Sequence, residues 1–287
     1  MNRKLLTVAL LFILVGIVGI LVVGKGLDKD NVVIGEEKFN SEDISDVVIR
    51  NSTGEIKVRP SKDDDIHVNW KANLRFSKEP KIEIKESDGR LSVEVKERKS
   101  FRIEFFSFNF KWNSYEIEVH IPESSIERLI VDSSVGDVSV EGVNMTALEI
   151  ESEVADVTVR NMVVSMTDIT TDVGDIDIEN IEGDISVKSD VGEISVINPG
   201  GNLMLRSDVG DIYVKAPEIK GDFSIKNDVG DIELLTEKDQ KDASIFTSSE
   251  IGSIKVYGNE KRYFVNGAPY IIELDTDVGD VKVSAIK

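Results

Sequence analysis

The chain has 287 residues, ample for a sizeable core, with 40% hydrophobic residues, 21 Gly and a formal net charge of −20. It has no Cys, which excludes disulfides, thiolate metal sites and lipid-modified cysteine. Residues 131–287 hold 13 basic and 32 acidic side chains, a surface that repels nucleic acid and anionic lipid and favours cations or basic partners.

After Asn2-Arg3-Lys4 comes the run Leu5–Val23, 19 residues without a charge. As a helix it would be about 28 Å long, against a hydrocarbon thickness of ~30 Å. No small-x-small boundary follows, so the run predicts a retained signal anchor (1–24) rather than a cleaved signal peptide. Arg3 and Lys4 then stay inside, and the bulk of a single-pass cell-membrane protein lies outside. Residues 25–46 are polar and aperiodic, and read as a tether.

Strand patterns begin at Val47, the expected start of one domain spanning 47–287. Asn51-Ser52-Thr53-Gly54-Glu55-Ile56-Lys57-Val58 is a degenerate copy of the phrase that dominates the second half. Period-2 alternation follows at Ile66, Val68, Trp70, Ala72, Leu74 and Phe76. Asp88-Gly89 signals a tight turn between Ile82/Ile84 and Leu91/Val93/Val95. Residues 101–115 gather Phe101, Phe105, Phe106, Phe108, Phe110, Trp112 and Tyr115. This insertion is either a plug closing a solenoid end or an aromatic loop in which Phe105, Phe106, Phe108, Phe110 and Trp112 contact a partner. The last irregular strand holds Tyr115, Ile117, Val119 and Ile121 and stops at Pro122. No histidine cluster accompanies these strands; His67 and His120 read as surface residues.

From 131 onward one phrase recurs: Ser/Thr/Asn, acid, Val, Gly, acid, Ile/Val, any residue, Val/Ile. Its Gly position falls at 136, 155, 174, 192, 210, 230, 252 and 279, in steps of 19, 19, 18, 18, 20, 22 and 27 residues. A period near 20 with strand-like halves predicts a single right-handed parallel β-solenoid, all-β, with coils of ~18–20 residues stacked ~4.8 Å apart over about 40–50 Å. An antiparallel meander with Asp-Val-Gly-Asp as hairpin turns is the competing topology. Stacking predicts two core columns. One is Val135, Val154, Val173, Val191, Val209, Val229, Ile251 and Val278; the other is Val138, Val157, Ile176, Ile194, Ile212, Ile232, Ile254 and Val281. The Gly column suits corners with positive φ or close backbone approach. Ala155 interrupts it, at a cost on the order of 1 kcal/mol if that corner is left-handed.

Two acidic columns flank the Gly. Asp172, Asp190, Asp208 and Asp228 belong to the first; Asp175, Glu193, Asp211 and Asp231 belong to the second. Exposed carboxylates ~4.8 Å apart repel by roughly 0.9 kcal/mol in water, so something must offset them. Either the acids cap turns by accepting backbone N–H bonds, or these eight residues form a linear site for a hard divalent cation, Ca²⁺ being the fit. Lys188, Arg206 and Lys226 add a partial basic column. Nearly identical acid pairs in every coil do not supply the differentiated pair that glycoside chemistry requires. The sequence holds no nucleophile-elbow, phosphate-loop or dinucleotide motif.

An apolar leader, the strand Val119-His120-Ile121-Pro122 and the serial Ser-x-x-Gly-Asp-Ile-x-Val coils resemble the prokaryotic candidate-adhesin domain family of unknown function, over roughly Val47 to Lys287. The resemblance implies a β-helix-like body on the cell envelope, with roles in adhesion or envelope-stress signalling and no catalytic residues. Val before Gly and the second acidic column depart from the family's usual pattern. The functional expectation is a non-enzymatic, membrane-anchored adhesin-like scaffold without cofactor. Its partner would be an envelope polymer or membrane protein, never nucleic acid. A cation-responsive or envelope-stress sensor is the alternative, and a carbohydrate-active β-helix enzyme the remote one.

Overall fold

A computed structural model describes residues 31–74, 80–96, 114–123, 126–237, 241–258 and 261–286. In the regular region each coil is two short strands joined at a glycine corner, as in Leu203–Val209 with Ile212–Ala216 and Phe223–Val229 with Ile232–Thr236. Successive coils pair in parallel and in register, so Ile194 lies over Ile212 and Val191 over Val209. The chain is therefore a stack of rows, not a meander. Alternation on each strand sends Ile185, Val187, Ile194 and Val196 inward, where all four are buried. β-Branched residues suit these files because their restricted χ1 packs well on a pleated surface.

The opposite corner is turned by Asn161, Asn180 and Asn198, at φ 56°, 55° and 54°. Asn tolerates this left-handed conformation. Here the amides also form a ladder: Asn180 Nδ2 donates to Asn161 Oδ1 at 2.9 Å, and Asn198 Nδ2 to Asn180 Oδ1 at 2.7 Å.

Both ends are threaded out of sequence order. Asp46–Asn51 lies between Arg90–Val95 and Arg128–Val135, so the row formed by residues 46–60 was laid down before the row outside it. At the other end Tyr270–Val278 inserts between Phe223–Val229 and Ala243–Ile251. The files thus run Val229, Val278, Ile251, which corrects the expected order. The long steps of 22 and 27 residues are the connections that make this insertion. The outermost strands are covered by antiparallel pieces. Arg262–Tyr263 pairs with the last row, and Asn31–Asn40 with Asp65–Leu74 covers the first. Such covers blunt edges that would otherwise template pairing with other chains. The Asp88-Gly89 turn closes the hairpin of Ile82–Ser87 and Arg90–Val95, with both residues at positive φ.

Four further expectations are corrected. Among the described residues the helical structure amounts to the three-residue 3-10 turn Ser41–Asp43, and no helix is long and apolar enough to cross a membrane. From Asn31 on, charges interrupt the apolar residues every few positions, a pattern that forms strands. Leu5–Val23 lies outside the described residues. The expected transmembrane helix and single-pass cell-membrane placement are therefore withdrawn.

Second, much of the supposed tether is strand Asn31–Asn40. Third, the file of Val135, Val154, Val173, Val191, Val209, Val229, Val278 and Ile251 stacks as predicted but faces outward; Val191 is 46% exposed and Val209 47%. Strand parity groups Val191 with Ile185 and Val187. It stands, however, where the chain begins to turn and the two walls converge, leaving inner room only for Ser189, which is fully buried. Fourth, Ala155 is not among the residues with positive φ, so its corner takes another backbone path and escapes the expected strain.

One core residue is a misfit. Thr167 lies in register between Leu148 and Ile185, is fully buried, and its Oγ1 has no hydrogen-bond partner. Thr167→Val keeps the shape and removes the unsatisfied hydroxyl, so it is expected to stabilise the protein by about 1 kcal/mol. A urea-denaturation midpoint that fails to rise would contradict this.

Candidate functional site

The glycine corner concentrates everything that recurs, and its geometry follows position by position from the repeated phrase. The first position is buried: Ser133, Ser152, Thr171, Ser189, Ser207, Asn227 and Thr276 all point inward behind the corner. Several tie the corner shut. Ser133 Oγ donates to Gly136 O at 3.2 Å, Asn227 Nδ2 to Gly210 O at 2.8 Å and Thr276 Oγ1 to Gly230 O at 3.1 Å. Asn51 Nδ2 does the same to Gly54 O at 2.9 Å, so the degenerate early copy of the phrase builds the same corner.

Glycine is required by stacking as well as by conformation. At Gly192 φ is +146°, and an added Cβ would lie 2.0 Å from the carbonyl oxygen of Gly174 one row below. The rows cannot move apart, because Gly174 N–H donates to Val191 O and Gly192 N–H to Val209 O, both at 3.0 Å.

The acid after Gly forms a ladder of its own. Asp156 Oδ1 accepts the N–H of Asp175 at 2.9 Å, Asp175 Oδ1 that of Glu193 at 2.8 Å, and Asp211 Oδ1 that of Asp231 at 2.8 Å. Asp231 Oδ1 then accepts from Asp280, and Asp280 Oδ1 from Ser253, each at 2.7 Å. The Ser253 N–H, and after it the Ser253 hydroxyl, hold the Asp280 carboxyl below the ordinary carboxylate range. These charge-assisted bonds offset the repulsion between neighbouring acids. Glu193 is the exception. Its longer side chain makes no bond to the N–H of Asp211, and the ladder skips that rung. Glu193→Asp should restore it and stabilise the protein by about 1 kcal/mol, read as a rise in denaturation midpoint.

The acid before Val has a different setting. Lys188 Nζ lies 3.0 Å from Asp190 Oδ1, and Arg206 Nε 3.7 Å from Asp208 Oδ1. Lys188, Arg206 and Lys226 do stack in register. Among the described residues no cation lies within 4.0 Å of Asp172, Asp228 or Asp277. The candidate cation ligands are thus brought to one edge of the solenoid. Among the described residues, however, no group of three carboxylates or imidazoles converges as a metal would need. Phe105, Phe106, Phe108, Phe110 and Trp112 lie outside the described residues.

His67 and His120 are direct cross-strand partners. His67 Nε2 bonds Asp63 Oδ1 at 2.8 Å, while His120 is 3.4 Å from Glu118. Near the N-terminal end Asp46 receives Arg128 at 2.9 Å and Arg90 at 3.4 Å. The Arg128 guanidinium, above all, holds its carboxyl below the usual range.

Sequence reading missed the outward aim of the valines and the second corner's polar ladders. There Asp184 Oδ1 accepts the Asn202 N–H at 2.9 Å, Asn202 Oδ1 the Asp222 N–H at 3.0 Å, and Asp222 Oδ1 the Ile271 N–H at 2.8 Å. The recurrence of Asn161, Asn180 and Asn198 at the coil period was the available signal.

In-register parallel rows, glycine corners and polar ladders define a two-walled β-solenoid. The family model described as Toastrack DUF4097 matches residues 44–285, and the chain belongs to that family. Two solved structures share the fold. One is a candidate adhesin from Bacteroides fragilis, 14% identical, covering 89% of this chain and 98% of that one, with TM-score 0.50. The other is a candidate lipid-binding protein from Parabacteroides distasonis, 13% identical, covering 90% and 97%, with TM-score 0.52. No curated protein matches.

Proposed function

We propose that the protein is a non-enzymatic, adhesin-like binding scaffold that presents its acidic solenoid edge to basic macromolecules. The observation that carries this is the row-by-row repetition of acid, Val, Gly, acid along one edge, with most of the acids after the glycine held by backbone N–H groups. A surface of many equivalent contacts gains affinity by multivalency, whereas catalysis calls for one differentiated pair of groups. The net charge of −20 favours cationic partners and repels nucleic acid. The name of the Bacteroides neighbour agrees with this reading.

The test is retention of the purified full chain on surfaces bearing polylysine, neutral glycan or heparin. Retention on polylysine alone is expected, weakening about tenfold or more between about 50 and about 300 mM salt. No retention on polylysine at low salt would overturn the reading. So would polysaccharide turnover that a single-row Asp→Asn change abolishes.

A further inference from the structure

The outward valine file has no structural reason to be apolar. The corner needs Gly for its backbone, but nothing in the described chain covers the outer half of the valine side chains. Elsewhere on the outer wall, register-equivalent positions change character from row to row. Ser186, Met204, Ser224 and Glu273 form one such file, and Lys188, Arg206, Lys226 and Asp275 another. The corner file is Val or Ile in eight consecutive rows, from Val135 to Ile251, with Thr53 in the row before them; Ile251 at its end is 68% exposed. Seven of these eight rows place a carboxylate before the valine or isoleucine, Ser134 standing there in the row of Val135, and all but the outermost place one after the glycine position.

From this arrangement we infer that the file is a docking ridge for a cationic amphipathic helix with a narrow apolar stripe. The inference rests on the binding-scaffold reading above and names its site and partner chemistry. Seven steps of ~4.8 Å make the ridge about 34 Å long. A helix of about 23 residues has that length. The ridge is one residue wide, so it suits a stripe of the a/d kind, and the two acidic files lie where Lys or Arg at flanking e/g positions would reach. Charge complementarity selects the partner's sign: a helix with acidic flanks, or an anionic surface, would meet carboxylates on both sides of six of the eight side chains and on one side of Val135 and Ile251. Except at Glu193, the carboxylates after the glycine from Asp156 onward are already held by the N–H of the neighbouring row, so little order has to be imposed on them at binding.

The experiment is fluorescence anisotropy of the full chain with a labelled 23-residue peptide carrying a Leu stripe flanked by Lys. Two comparison peptides have the same composition with the stripe scrambled, or Glu in place of Lys. The striped cationic peptide should bind about tenfold or more tightly than the scrambled one, and the Glu peptide should not bind. Combined Val191→Ser, Val209→Ser and Val229→Ser should weaken it about tenfold, as should Asp190→Asn, Asp208→Asn and Asp228→Asn together. Met204→Ser, on another part of the wall, should change nothing. The variants are exposed, and an unchanged circular dichroism melt verifies that they fold. Equal binding of striped and scrambled peptides, with no effect of the valine changes, would overturn the ridge while leaving a charge-driven scaffold intact. Failure of both cationic peptides, together with failure on polylysine, would overturn both.

Discussion

Gly192→Ala should destabilise the protein by about 2–5 kcal/mol: roughly 1–2 from the positive φ and ~1–3 from overpacking. The backbone sits at φ +146°, and the new Cβ would meet the carbonyl of Gly174, a residue whose N–H is tied to Val191 O in the row above. No side-chain rotation can relieve a clash between Cβ and backbone. Solenoid rows are stabilised mainly by nearest neighbours, so faster amide exchange should be concentrated in the rows on either side of 192. The measurement is a urea-denaturation series with exchange mass spectrometry. A loss below about 1 kcal/mol would mean that the corner can relax as it does at Ala155, and that glycine there is a convenience.

Phe223→Ala should cost about 3–5 kcal/mol, because its ring is buried in register between Leu203 and Ile272 and the cavity cannot collapse across a hydrogen-bonded stack. Val229→Ala, six residues on and outward-facing, should stay within about 1 kcal/mol. The pair tests the inward and outward assignment directly, and equal losses would refute it.

Much of the fold was legible before any coordinates. The repeat period announced stacked coils, the Gly column announced corners, and Val138 to Val281 identified an inward file. The aspartates after the glycine were readable as backbone acceptors, although the N–H groups they hold belong to the neighbouring row; among the described residues, those before the valine accept no backbone N–H. The outward valines were not readable, because period-2 parity holds only while a strand runs straight. Val191 has the parity of a core residue, yet the turn at Gly192 carries it to the rim. The same limit hid strand Asn31–Asn40, whose acidic stretch Glu36-Glu37 suggested a tether until its pairing with Asp65–Leu74 was visible.

What the amino-acid order determined by itself is the content of each row: which residues turn, which fill the interior, and which carry charge. These are consequences of local backbone sterics and side-chain hydration, and they repeat wherever the phrase repeats. Only the tertiary structure decided the order of rows at the two ends and the face that the valine file presents. Tyr270–Val278 could extend the stack or insert into it, and the choice lies in which strands it pairs with on either side. That competition involves strands 20 to 50 residues apart in the chain, beyond the reach of any local pattern.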